Sequence, residues 1–282
     1  MKYEKCVFCT SSRMDHYALL LLVALFPLVC SRWTEEYDHF TFAQSWPPGV
    51  CAVAPREHHT CHVDKQVTTW TIHGLWPTQG SEIGPHDCNS SMEFDFSKIA
   101  SLQKDLLTFW PNLYTDTELE SFWSHEWTKH GTCAQDLPET TGEYNYFSKG
   151  LEMNHKYDML KMLSDGGVTP SPTEQYSYKQ FMAAVKQSTG FDPNIVCSFI
   201  ELDNGTDFHL VSEIEICLSK TDFTPVACPG SENSSKGGNQ SGSYKTIKSR
   251  SKCHQHFNYP PIQYVFNRKT GMFELPNDLV GR

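Results

Sequence analysis

The chain has 282 residues, 39% of them hydrophobic and 13% aromatic, which is enough for one substantial core and argues against more than two domains. Charged residues make up 20% and form no long runs, so wholesale disorder is excluded. A net charge of −10 excludes a broadly basic surface, so any phosphate contact must come from a small local cluster or from histidines charged in an acidic medium.

Ala18 to Cys30 is an unbroken apolar run of 13 residues behind Lys2, Lys5 and Arg13. Such a run is too short to span a bilayer comfortably and fits the apolar part of a signal peptide. The expectation is a signal peptide over 1–31, with translation starting at Met1 or Met14, and a domain over 32–282 with no stable membrane association. Cys6, Cys9 and Cys30 fall in the leader, which leaves Cys51, Cys61, Cys88, Cys133, Cys197, Cys217, Cys228 and Cys253. An even count behind a signal peptide predicts four disulfides, and the lack of any CxxC pair among them speaks against zinc or redox motifs. Sequons at Asn89, Asn204, Asn233 and Asn239 point the same way, to a glycosylated product of the secretory pathway.

Alternation predicts strands over 40–46 and 67–72, with His73-Gly74-Leu75-Trp76-Pro77 as a strand end entering a loop. Helices are expected over 94–107 and 117–130, the second capped by Asp116 or Thr117 and stopped by Gly131. Another helix is expected over 173–188, and strands over 195–200, 208–218 and 262–266. Residues 229–252 are Gly/Ser-rich and polar, and read as a long exposed loop. Mixed elements without a βαβ rhythm define an α+β single domain, with a mostly antiparallel central sheet and flanking helices.

Two segments carry chemistry. In Phe122–Cys133, FWSHEWTKHGTC, helical spacing puts Phe122, His125, Glu126, Lys129 and His130 within an arc of about 140°. The HExxxH spacing is one residue too long for the zinc-protease HExxH, which rotates the second histidine away. In Trp70–Gly80, WTIHGLWPTQG, a histidine precedes a glycine that lets other groups approach the backbone. Two imidazoles, a carboxylate and an ammonium suit RNA cleavage without metal or cofactor. One neutral histidine takes the 2′-OH proton, a charged one protonates the leaving oxygen, and lysine stabilises the phosphoryl oxygens.

These two blocks, some fifty residues apart, closely resemble the WTIHGLWP and FWxHEWxKHGTC marks of the ribonuclease T(2) family. The resemblance implies an α+β endoribonuclease that cuts single-stranded RNA to 2′,3′-cyclic phosphates, and a secreted or lysosomal destination. It makes His130 the base, His73 the acid, Glu126 and Lys129 transition-state helpers and His125 a phosphate contact. By the same match Gln44, Trp76, Asn112, Leu113 and Phe122 bind substrate, and the cysteines pair as 51–61, 88–133, 197–253 and 217–228. The molecule is expected to be a monomer. Rival readings are a non-catalytic binding or signalling protein on the same fold, a metal-dependent hydrolase built on His73, His125 and His130, and a carbohydrate-binding module.

Overall fold

The structure, a computed structural model, describes residues 36–202, 207–229, 250–267, 270 and 272–275. These belong to one structural unit, Glu35–Arg282. The expected signal peptide, the sequons at Asn204, Asn233 and Asn239, and nearly all of the 229–252 loop lie outside the described residues. Among the described residues no helix is long and apolar enough to cross a membrane.

In chain order the elements are β1 (His39–Ser45), α1 (Pro47–Cys51), β2 (Thr71–Gln79), β3 (Glu82–Ile83), α2 (Gln103–Phe109), α3 (Ser121–Lys129), α4 (Glu143–Lys156) and α5 (Met159–Asp165). There follow β4 (Gln175–Ser177), α6 (Tyr178–Thr189), β5 (Asn194–Glu201), β6 (Asp207–Ser219), β7 (Pro225–Val226), β8 (Arg250–Lys252), β9 (His256–Asn258), β10 (Val265–Asn267) and β11 (Met272–Glu274). The main sheet runs β3-β2-β1-β6-β5-β8 and is antiparallel along that path, while β9 touches β6 in parallel. The fold is α+β.

β1 lies in the middle of the sheet and all seven of its residues are buried, yet its two faces differ. Phe40 and Phe42 point to the side shared by Ile72, Leu75, Ile214, Ile216 and Leu218, and these join one core with Leu151, Met159, Leu163 and Val185 from the helices. Thr41, Ala43 and Ser45 take the other side, as period-2 geometry requires. His73 lies on that polar side.

Four disulfides close the framework: Cys51–Cys61, Cys88–Cys133, Cys197–Cys253 and Cys217–Cys228. The second anchors the turn just beyond α3, and the fourth ties β6 to the segment just after β7.

Several local expectations shift. α3 starts at Ser121 rather than residue 117, because Asp116 is engaged elsewhere: its carboxylate accepts from the Thr60 backbone N–H and pairs with His59. Residues 94–107 break into two 3₁₀ turns before α2, the first capped by the Asp95 side chain on Ser97 N–H. Gln175–Ser177 is drawn into the sheet against β9, so the following helix starts only at Tyr178, with a Ser177/Gln180 capping box. Arg250–Lys252, expected as loop, pairs with β5. α4 and α5 stand where the pattern predicts no element.

Candidate active site

β2 extends well past the expected boundary, so His73 sits inside a strand and not at its end. Ala43 pairs with Gly74 and Gln44 with Ile72, which leaves His73 as the extra residue of a bulge. A bulge re-aims the side chain it carries. Here it keeps His73 on the polar side, where its Nδ1 meets the Glu213 carboxylate of β6. The His73 carbonyl accepts from Trp110 Nε1 at 3.0 Å, which pins the bulge from behind.

His130 comes from the other end of the site. It caps α3, its N–H bonding Glu126 O at 3.1 Å, and a 3₁₀ turn tied by Cys88–Cys133 follows at once. Both imidazoles pack against the Trp76 indole, its centroid 4.8 Å from the His73 ring and 5.4 Å from the His130 ring. Trp76 Nε1 donates to Glu126 Oε2 at 2.8 Å. Gly74 makes that bond possible: a Cβ there would fall 1.9 Å from Trp76 Nε1 and 2.4 Å from Glu126 Oε2. The glycine of the HGLW block is therefore a matter of space, with no positive φ involved.

Protonation follows from burial. Glu126 is 1% exposed, and desolvation raises its pKa to about 7 against the opposing pull of His73, Trp76 and Lys129. His130 is 3% exposed; desolvation first, then the Lys129 ammonium and the neighbouring imidazoles, lower its pKa to about 2. Its Nδ1 is buried without a hydrogen-bond partner among the described residues. His125 is exposed on α3, with its pKa lowered by partial desolvation and then by Lys129. Lys129 makes no ion pair among the described residues. At acidic pH the site therefore presents a neutral imidazole, a neutral carboxylic acid and a free ammonium.

Beside His73 a cavity of about 110 Å³ is lined by Ser45, Asn112, Leu113, Tyr114 and Phe122 among others. Leu113 and Phe122 offer it apolar surface. Asn112 lines it too, but its amide is committed to the 112–121 loop: Nδ2 donates to Thr117 Oγ1, Glu118 O and Ser121 Oγ, and Oδ1 accepts from Tyr114 N–H.

Two expected substrate contacts are displaced. Gln44 is turned to the apolar face, 1% exposed, with its amide donating to Tyr157 O at 2.9 Å, because it alternates with Ser45 along β1. Ser45 is the residue of this strand that faces the cavity. Trp76, 5% exposed, is a strut under the site and not an open stacking platform. The sequence reading also passes over three residues that the fold delivers: Glu213, Trp110 and His86, whose ring stands edge-on to His130 at 5.3 Å. Only Glu213 left a trace, as a carboxylate alternating with Ile214 and Ile216. Among the described residues no three His, Cys, Asp or Glu side chains are grouped so that they could hold a metal ion.

Two imidazoles, an ammonium and a buried carboxyl gathered at one end of an antiparallel sheet are groups able to give and take protons. Residues 37–228 match the Ribonuclease T2 family. Ribonuclease Oy of Magallana gigas is 43% identical over 195 residues, covering 69% of this chain and 88% of that protein. Ribonuclease T2-A of Mus musculus is 33% identical over 206 residues, covering 72% and 74%. Among solved structures, RNase NT in complex with 5′-AMP aligns with a TM-score of 0.63 at 27% identity, over 80% of this chain and all of that one. Human RNase T2 aligns at 0.61 and 26% identity, over 80% and 99%. The chain belongs to the ribonuclease T2 family and is an endoribonuclease of that type.

Proposed function

We propose that this enzyme cleaves single-stranded RNA by two-histidine transesterification, without metal or cofactor. The observation that carries the reading is that His73 and His130, each from a different element, both lie against the Trp76 ring. Neutral His130 takes the 2′-OH proton as that oxygen attacks phosphorus. The bond to the 5′-oxygen breaks, and this oxygen leaves with a proton from the His73 imidazolium. The phosphate ends as a 2′,3′-cyclic diester. Lys129 and His125 face the phosphoryl oxygens with positive charge, and Glu126, protonated below about pH 7, donates a hydrogen bond there without adding a negative charge. Leu113 and Phe122, with Asn112 holding their loop, receive an unpaired base.

The depressed pKa of His130 suits an acidic medium, since the base stays neutral while other histidines offset the acidic surface. The anionic phosphate of a bound substrate raises that pKa towards the working range. Four disulfides and an Asn89 sequon on a partly exposed turn support a secretory-pathway protein, secreted or lysosomal. One relative, from Solanum lycopersicum, is named an extracellular ribonuclease.

The test is cleavage of single-stranded RNA from pH 4 to 8 in EDTA, comparing the wild type with His73→Ala and His130→Ala. Loss of activity in both variants and transient 2′,3′-cyclic ends in the wild type are expected. Undiminished cleavage by either variant, or abolition by EDTA, overturns the mechanism.

A further inference from the structure

On the polar face of the sheet, Glu213 sits directly across from Ser45, which sits across from Thr71, and the bulged His73 leans into this row. Glu213 is 2% exposed. Burying a carboxylate costs several kcal/mol unless a partner compensates it. Its Oε2 meets His73 Nδ1 and, at 3.4 Å, accepts from Ser45 Oγ. Neither contact contributes to the apolar core, which lies on the opposite face of β6. The sheet therefore carries a buried carboxylate in direct contact with the imidazole.

We infer that Glu213 is the positioning residue of the acid: it holds His73 with Nδ1 protonated, so that Nε2 is the nitrogen that delivers the proton to the leaving 5′-oxygen. The inference rests on the reading of His73 as the acid. Its physical basis is general: the hydrogen bond made by one ring nitrogen decides which proton the other can give. The covalent neighbourhood supports it. The bulge frees the His73 side chain from strand pairing, Trp110 fixes its carbonyl, and Trp76 and Phe122 flank the ring at 4.8 and 5.9 Å. What remains undetermined by these contacts is rotation about the final side-chain bonds. Glu213 supplies that restraint from a strand 140 positions away. The other titratable groups coupled to the ring, His125, Glu126 and His130, come from α3 and its C-terminal cap, whereas the group that Nδ1 meets is Glu213.

A positioned acid matters only for a poor leaving group. An alkoxide needs the proton, whereas 4-nitrophenolate leaves without it. Glu213→Gln keeps the size and removes the fixed acceptor, because an amide can turn its NH₂ to Nδ1 and trap the wrong tautomer. The expected result is a fall in kcat of about 100-fold on a dinucleoside phosphate, with KM within about twofold, and less than about threefold on a nucleoside 3′-(4-nitrophenyl phosphate). His73→Ala, assayed in parallel, should show the same leaving-group contrast. ¹⁵N NMR of the wild-type His73 ring gives a reading independent of any variant, with the proton of the neutral ring expected on Nδ1. Equal losses of Glu213→Gln on both substrates, or a neutral ring protonated on Nε2, overturn the role of Glu213. If His73→Ala lacks the contrast, the acid assignment itself falls and Glu213 with it. If His73→Ala shows the contrast and Glu213→Gln is unimpaired, Glu213 alone is refuted.

Discussion

Trp76 Nε1 donates to Glu126 Oε2 at 2.8 Å, and both side chains are buried, with the Trp76 ring against both His73 and His130. This bond joins the sheet to α3, and so sets the distance between an imidazole on β2 and another at the helix end. It also partly offsets the desolvation of Glu126.

Trp76→Phe should therefore act on both stability and rate. The phenyl ring keeps most of the packing but leaves Glu126 Oε2 without this donor, at a cost of about 1–3 kcal/mol. The loss should be larger at pH 8, where Glu126 is charged, than at pH 5, where it is mostly protonated. Cleavage should fall about 10- to 100-fold through loosened positioning. Urea denaturation at the two pH values and steady-state kinetics check this; equal destabilisation at both would show that the bond to a charged Glu126 is not what was lost.

Gly74→Ala tests the same contact from the backbone. Its Cβ meets Trp76 Nε1 and Glu126 Oε2 far inside van der Waals distance, so the indole must move, at about 1–3 kcal/mol or more. Gly80 makes the control: it has φ +59 but open space around it, so Gly80→Ala should cost about 1–2 kcal/mol of backbone strain and leave cleavage unchanged. Matching activity losses in the two variants would mean that crowding at Trp76 is not the cause.

Two buried groups give opposite pH dependences. Glu126 has a folded pKa raised from 4.5 to about 7, so the native state holds the extra proton between these values and stability falls as pH rises through them. The magnitude is roughly 3 kcal/mol at most. His130 has a folded pKa lowered from 6.5 to about 2, so the unfolded state holds the extra proton and stability falls as pH drops below 6.5. The slopes oppose each other between pH 4.5 and 6.5, which places the stability maximum in that interval. In Glu126→Gln only the His130 slope remains there, and its stability should climb with pH relative to the wild type. Chemical denaturation at pH 4.5, 5.5 and 6.5 measures it, and parallel curves would refute the assignment.

How much of this could be read in advance depends on distance along the chain. The α3 face is local, because residues three and four apart must be neighbours on a helix. Glu126, Lys129 and His130 could therefore be grouped from spacing alone. The strand residues could not be oriented in the same way. Gln44 and Ser45 are adjacent, and only the pairing of β1 with β2 and β6 decides which faces the cavity. α4 escaped notice because its buried face includes the polar residues Glu143 and Asn154, which blurs the helical period, and α5 because seven residues with three buried apolar ones are too few to display a period.

By itself, then, the sequence determined the candidate reacting groups, the class of fold and the eight cysteines that the fold pairs, because these rest on residue identity and on periodicities of a few residues. Tertiary structure alone decided the rest. It brought Glu213 to His73, set the Trp76 ring against both imidazoles, and turned Gln44 to the apolar face. It also decided protonation, since burial removes water from Glu126 and His130 alike but favours the neutral form of each, holding a proton on one and off the other. Desolvation belongs to the packed whole, and no run of neighbouring residues encodes it.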